Sequence, residues 1–285
     1  MKKNKITSLM IILVIYFIAA IVGYTIYINL PFEFYFNLLI ADISSTILIF
    51  IFSCIFKNAS CYDAYWSVAP IVIISFYLIS KPFSIVRLLL SIAIIGWGIR
   101  LTINWAYTFD NLLWIDWRYK MLKEKTKWLY PLVNFLGIHL FPTLVVYTCI
   151  LPAVFCFEYE TSFNILVLLF FILSMFSFQF QAVADIQMHR FRKTGSNTFI
   201  RNGLWKYSRH PNYLGEIMMW ISVGLLSISA LNGYYYLIIG SMINTLMFVF
   251  ISIPMAEEHQ RSRKEGFDEY KKETRMLLPI YKKID

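Results

Sequence analysis

The sequence predicts an all-α, polytopic membrane helix bundle of seven to eight transmembrane helices. Three observations carry that expectation. Of 285 residues, 59% are hydrophobic and only 15% charged, too apolar a balance for a soluble chain of this length. The apolar residues gather in runs long enough to cross a hydrocarbon core, for which a helix needs roughly 20 residues. The basic residues collect in alternate connections, as the positive-inside bias requires.

Eight runs qualify, at about 6–28, 36–56, 64–80, 84–105, 132–156, 163–185, 213–230 and 234–255. Two are short or closely spaced, so seven spans is the alternative count. The first run follows Lys2, Lys3 and Lys5 like a signal peptide, but it is long and lacks a small-x-small cleavage site before Asn29-Leu30-Pro31. It is read as retained. With a cytoplasmic amino terminus, the inside segments hold Lys57, the run Arg118 to Lys127, the run Arg190 to Arg209 and the tail from Arg261 to Lys283. The outside turns hold Glu33, Glu158 and Glu160, with only Lys81 and nearby Arg87 against the trend. An integral membrane protein with both termini cytoplasmic is expected.

The net charge of +9 is thus a topology signal, and no nucleic acid partner is implied. Cys54, Cys61, Cys149 and Cys156 show neither metal-ligand nor disulfide spacing. His139, His189, His210 and His259 form no H-x3-H or HExxH pair, so no metal site is expected. Without linkers or repeats, residues 1–60 read as amino-terminal transmembrane helices and 61–285 as the main membrane domain, in one structural unit. The loop near 107–131 mixes Trp114, Trp117, Tyr119 and Trp128 with basic residues, which suits an amphipathic helix in the headgroup layer. The tail from Met255 reads as one charged helix running to Thr274 and stopping before Pro279.

Polar residues inside the runs share helix faces. Trp97, Arg100 and Asn104 stand at i, i+3 and i+7, and Gln181, Asp185, His189 and Arg192 at i, i+4, i+8 and i+11. Both stripes fall at cytoplasmic ends, so they are expected at one membrane depth. Arg100 equally suits a snorkelling role. Asp185 is different, because an intramembrane aspartate costs up to about 2.5–3.5 kcal/mol on insertion scales and calls for a partner.

Residues 203–216 concentrate the chemistry. Thr194-Gly195-Ser196-Asn197 breaks the preceding helix, and Arg201-Asn202-Gly203 reads as a turn with φ > 0 at Asn or Gly. His210 precedes a proline and is expected to be extended, while Pro211 suits the first turn of the next helix. Asn212, Tyr213 and Glu216 then sit in its opening turns, where unpaired amides attract an anion. Arg201, Arg209, Arg190 or Arg192 suit phosphates, and Trp205, Tyr207 or Tyr213 suit flat rings. The ligand implied is large, anionic and partly aromatic, and a nucleotide cofactor fits.

Six pieces, in order, resemble a known family. They are Asp63-Ala64-Tyr65-Trp66, Trp97-Gly98-x-Arg100-Leu101, Asp116-Trp117-Arg118-Tyr119, Ala184-Asp185-x-Gln187, the run from Gly203 to Glu216, and Tyr270-x3-Thr274-x4-Pro279. The chain resembles bacterial membrane proteins with a domain of unknown function, DUF1295, of the steroid 5-alpha-reductase carboxy-terminal type, related to sterol C14-reductases and polyprenal reductase. The resemblance implies a helix bundle with a cytoplasmic cofactor pocket for NADPH, the nicotinamide reaching toward a lipid-accessible cavity. It implies a bacterial inner or plasma membrane, a monomer surrounded by membrane lipid, and a lipophilic small-molecule substrate entering from the bilayer. Carried over residue by residue, the cofactor contacts are Asp185, Arg190 or Arg192, Asn202, Arg209, Asn212, Tyr213, Glu216 and His259. Arg100, Asn104, Gln187, Arg201, Gly203, Trp205, Tyr207 and His210 complete the candidate set.

The implied reaction is hydride transfer to the β-carbon of a polarised carbon–carbon double bond in a steroid-like, isoprenoid or other lipid. Tyr213 or Tyr65 is the candidate proton donor, oriented by Asp63 or Glu216. The glutamate–tyrosine pair that steroid reductases carry in their amino-terminal helices has no clear match. Isoprenylcysteine carboxyl methyltransferases share Arg-His-Pro-x-Tyr and a Glu-Glu pair, here Glu257-Glu258, so a membrane methyltransferase using S-adenosylmethionine is the alternative. A non-enzymatic lipid-binding membrane protein is the third reading.

Overall fold

The computed structural model describes residues 4–279. Lys2, Lys3 and Lys283, on which part of the topology reading rests, lie outside the described residues. Among those described, eight helical segments are long and apolar enough to cross a membrane, and none is a strand. The protein is an all-α, polytopic integral membrane protein, with eight candidate spans among the described residues.

The chain packs into two compact units. The first comprises the residues up to Phe83 together with Ile94–Phe157, and the second comprises Ser84–Ala93 together with the residues from Glu158 on.

In the first unit, α1 (Lys5–Asn29) and α2 (Phe34–Phe56) are followed by a short turn at Ala59–Tyr62, α3 (Tyr65–Ser80) and the latter part of α4 (Ile85–Thr108). Asn4 caps α1 by accepting the Thr7 amide, and α2 stops at Lys57 in the left-handed conformation. The Ser45 hydroxyl donates to the Ala19 carbonyl at 2.9 Å, a side chain-to-backbone tie across two apolar helices. The short helix α5 (Trp117–Thr126) begins at Asp116, whose carboxylate accepts the Arg118 amide at 2.9 Å. Trp128 follows it at 84% exposure, which suits the headgroup layer. A further turn, α6 (Tyr130–Val133), runs through a π-helical stretch at Asn134–Leu140 into α7 (Phe141–Glu158).

In the second unit, α8 (Ile165–Lys193) and α9 (Pro211–Leu231) form the main pair. Gly215 lets them approach, since a Cβ there would stand 2.9 Å from both the Ser177 carbonyl oxygen and Gln181 Cβ. Next come α10 (Ile239–Met247), a π-helical stretch at Phe248–Ser252, α11 (Ile253–Arg261) and α12 (Phe267–Glu273). The tail is therefore not one continuous helix. α11 stops at Arg261, and Gly266, at φ +76, stands directly before α12.

Candidate functional site

The loop between α8 and α9 takes the course its residues dictate. Gly195 and Gly203 adopt φ +67 and +60, and His210, at φ −137 and ψ 57, is outside the helical region but not fully extended as expected before Pro211 opens α9. Gly203 is required twice over. Its left-handed backbone disfavours a side chain, and an added Cβ would meet the Gln187 amide at 2.5 Å. That same amide accepts the Leu204 N–H at 2.9 Å, so Gln187 fastens the loop to α8. Trp205 is buried and donates to the Ala184 carbonyl at 2.9 Å, which makes it a packing residue instead of an open stacking platform.

Arg209 is 7% exposed and faces the tail. Its Nε donates to Glu257 Oε1 at 2.8 Å, and one terminal nitrogen donates to the carbonyls of Thr274 and, at 3.4 Å, Lys271. His210 Nε2 meets the same Glu257 oxygen at 3.1 Å, and Lys271 approaches the other at 3.5 Å. Backbone bonds extend the clasp, from the Arg209 amide to Arg275 O at 2.8 Å and from the His210 amide to Met276 O at 3.2 Å. Burial pushes the His210 imidazole below its ordinary value, against the pull of Glu257. Tyr270 stacks on Phe199 with centroids 4.9 Å apart, and burial pushes its hydroxyl up to about 12. Arg201 pairs with Glu273 at 3.0 Å. The fork assigned to a phosphate thus clasps the tail in this structure, and Glu257 is the partner that sequence reasoning did not place.

Glu216 is 2% exposed and receives bonds from the Gln181 amide and, at 2.9 Å, from Trp220 Nε1. Asn212 donates to Asp185 at 3.3 Å, giving the intramembrane aspartate a partner. The Tyr213 ring lies between His210, stacked at 5.4 Å, and Phe248 at 4.9 Å. Arg190, Arg192, Asn202 and Tyr207 are exposed, and Asp185, His189, Asn212, Tyr213 and His259 are half-buried. His259 Nε2 stands 3.4 Å from the Arg263 guanidinium. This donor set suits an anionic ligand with polar edges. Arg100 and Asn104 are half-buried on the part of α4 that belongs to the first unit.

The first unit holds the second feature. Asp63, expected to orient Tyr65, instead accepts from the Tyr119 hydroxyl and stands 3.7 Å from Arg118. Tyr65 donates to Asp42 Oδ1 at 2.9 Å, and both line a cavity of about 110 Å³ among α1, α2 and α3. Apolar groups such as Leu38, Val68, Val72 and Phe76 make up much of the wall. Asp42 is 5% exposed in the middle of an apolar helix. An intramembrane carboxylate was the available signal, and it is a site indicator in its own right.

Residues 49–274 match the family described as "Protein of unknown function (DUF1295)". The chain belongs to the DUF1295 family. A relative in the fission yeast Schizosaccharomyces pombe, an uncharacterized protein, is 26% identical over 194 residues. The match covers 58% of this chain and 56% of the yeast protein, so it spans little more than half of that relative. No solved structure matches the chain. The family match takes in the Asp63, Trp97, Asp116, Ala184 and Gly203 motifs but begins after Asp42.

Proposed function

We propose that this DUF1295 protein is a membrane reductase that uses NADPH to saturate a double bond conjugated to a carbonyl in a lipophilic substrate drawn from the bilayer. The observation that carries the reading is the Tyr65–Asp42 pair, 2.9 Å apart and lining a largely apolar cavity. An apolar body fits such walls, and two acid groups within one hydrogen bond can hold and deliver a proton. Tyr65, oriented by Asp42, meets the carbonyl oxygen and stabilises the negative charge that develops there. Bound NADPH would supply the hydride to the β-carbon. Arg190 and Arg192 would hold its phosphates, with Asp185, Asn212 and Tyr213 at its polar edges. Arg209 supports the pocket through the tail. Both termini face the cytosol in this reading, which gives the cofactor access.

The test is made in detergent with the full chain. NADPH should raise the unfolding temperature, because a ligand that binds the folded state stabilises it. With an α,β-unsaturated ketone, Tyr65→Phe should slow NADPH oxidation by about 10²-fold or more, as expected for loss of a general acid, while the NADPH-induced stabilisation persists. Stabilisation by S-adenosylmethionine and none by NADPH would replace this reading with the methyltransferase. Stabilisation by neither would leave a lipid-binding protein.

A further inference from the structure

A proton given up by Tyr65 has to be replaced from water, and the cavity beside it has largely apolar walls. On the side of α2 that meets α7 runs a column of buried polar groups. Thr46 stands one turn from Asp42 on α2, a spacing that makes the two neighbours on the helix surface. The Thr46 and Tyr62 hydroxyls both meet Thr143 Oγ1, at 2.9 and 2.8 Å. Thr143 gives its own hydrogen to the His139 carbonyl at 2.9 Å, so the other two hydroxyls donate to it. Asp42 is close enough to act electrostatically on the Tyr62 hydroxyl.

The column ends at the π-helical stretch Asn134–Leu140. There the fully buried His139 places its ring 4.9 Å from Tyr62 and 5.3 Å from Phe50. Its Nδ1 stands 2.9 Å from the Asn134 carbonyl oxygen. A carbonyl only accepts, so Nδ1 carries the hydrogen, and Nε2 of the neutral ring presents a lone pair. A π-turn bonds residue i to i+5, which sets residues 134 and 139 one above the other. Nε2 has no protein partner, and neither has Asn134 Oδ1 or, one turn past Phe50 on α2, Ser53 Oγ, although all three residues are buried. Buried polar atoms are costly to leave unpaired. Nε2 and Oδ1 both accept, so a molecule that joins them has to donate twice, and the smallest that does is water.

Resting on the reading of Tyr65 and Asp42 as the proton-donating pair, we infer that His139 and Asn134 hold a buried water that refills the pair through the Tyr62, Thr143 and Thr46 hydroxyls. α2 ends beside the exposed Lys57, about one turn past Ser53, which sets this water close to the surface. The balance is one solvent proton for each hydride. The Tyr65 O–H bond breaks as the substrate gains that proton, and it re-forms from a proton passed inward along the column. His139 and Asn134 touch no reacting atom, and their part is to position the water.

The first arm of the test needs no turnover. In the full chain in detergent, with the histidine rings labelled with nitrogen-15, the His139 N–H signal is assigned by its loss in His139→Gln and followed on transfer to heavy water. It should exchange within minutes and show magnetisation transfer with water. Protection as long as that of the most slowly exchanging α7 amides overturns the inference. The second arm is reduction of an enone at saturating NADPH. His139→Phe and Thr143→Val should each lower kcat by about tenfold with KM unchanged and raise the solvent deuterium isotope effect, because refilling becomes the slow step. His139→Gln keeps an acceptor and should recover most of the rate, which a packing role alone does not predict. Wild-type kcat and isotope effect in His139→Phe and Thr143→Val, with Tyr65→Phe inactive, also overturn the inference. If the wild type reduces no enone, or Tyr65→Phe matches it, the donor reading falls and the refilling role with it, and the exchange arm alone decides whether the water is there.

Discussion

The Arg209 clasp yields a quantitative prediction. Glu257→Gln removes the carboxylate that faces a buried guanidinium at 2.8 Å and His210 at 3.1 Å. Breaking a buried pair from one side costs about 3–5 kcal/mol when the remaining charge is left uncompensated. Here the Thr274 and Lys271 carbonyls still accept from Arg209, which brings the expectation down to about 2–3 kcal/mol. The loss should be local, because the clasp joins the start of α9 to the tail and leaves the apolar packing of α8 and α9 untouched.

Hydrogen exchange reads that opening directly. The amides of Arg209 and His210 donate to Arg275 and Met276, so they are protected only while the tail is docked. A local loss of 2–3 kcal/mol raises their exchange by about 30- to 150-fold, at tenfold per 1.4 kcal/mol. Arg209→Lys keeps the charge but cannot span Glu257 and two carbonyls with one ammonium, so it should act in the same direction. If both amides keep wild-type exchange in Glu257→Gln, the clasp does not hold the tail and the reasoning fails. The same pair of variants separates support from contact in cofactor binding. Equal weakening means that Arg209 acts through the tail, whereas a much larger loss in Arg209→Lys means that it touches the ligand.

Two further predictions are simpler to read. Because burial lowers the His210 pKa, the unfolded chain binds that proton first, so stability should hold above about pH 6.5 and fall as pH drops below it; thermal unfolding across pH 5–8 should show the decline, and His210→Gln should lessen it, the remainder coming from other titrating groups such as His189. The proposed cytosolic tail predicts that a cysteine at Ser262 escapes an impermeant thiol reagent in intact cells while one at Glu160 reacts; the reverse pattern would invert the topology.

The eight spans were legible because length and apolar composition alone decide whether a helix can cross a bilayer. Local backbone was legible for the same kind of reason. His210 outside the helical region before Pro211 and Gly203 at positive φ follow from steric rules that act over one or two residues. The broken tail shows where that reasoning stops. A charged run with helix-forming residues reads as one helix, yet it stops at Arg261 and resumes after Gly266 at φ +76, where Phe267 and Tyr270 pack against Phe199. Nothing local to residues 255–274 specifies that contact.

The site divides along the same line. Arg209 was recognised as important from its neighbours, but its partners lie 48 and 65 residues away, and chain position cannot distinguish a guanidinium that waits for phosphate from one already satisfied by protein. Tyr65 was singled out, and the nearest acid in sequence, Asp63, was given the task of orienting it. Geometry forbids that economy. Side chains two residues apart at a helix start point in different directions, so Asp63 turns to Tyr119 while Tyr65 reaches a carboxylate on another helix. An acid that must orient a phenol inside a bilayer is better placed on a neighbouring span, where packing fixes the distance, than on the phenol's own turn. On that argument a lone acid in the middle of an apolar run, such as Asp42, is a stronger site signal than a cluster of charges at a loop. The cluster has water, lipid headgroups and the tail to satisfy it, whereas the lone acid has only what the bundle brings to it.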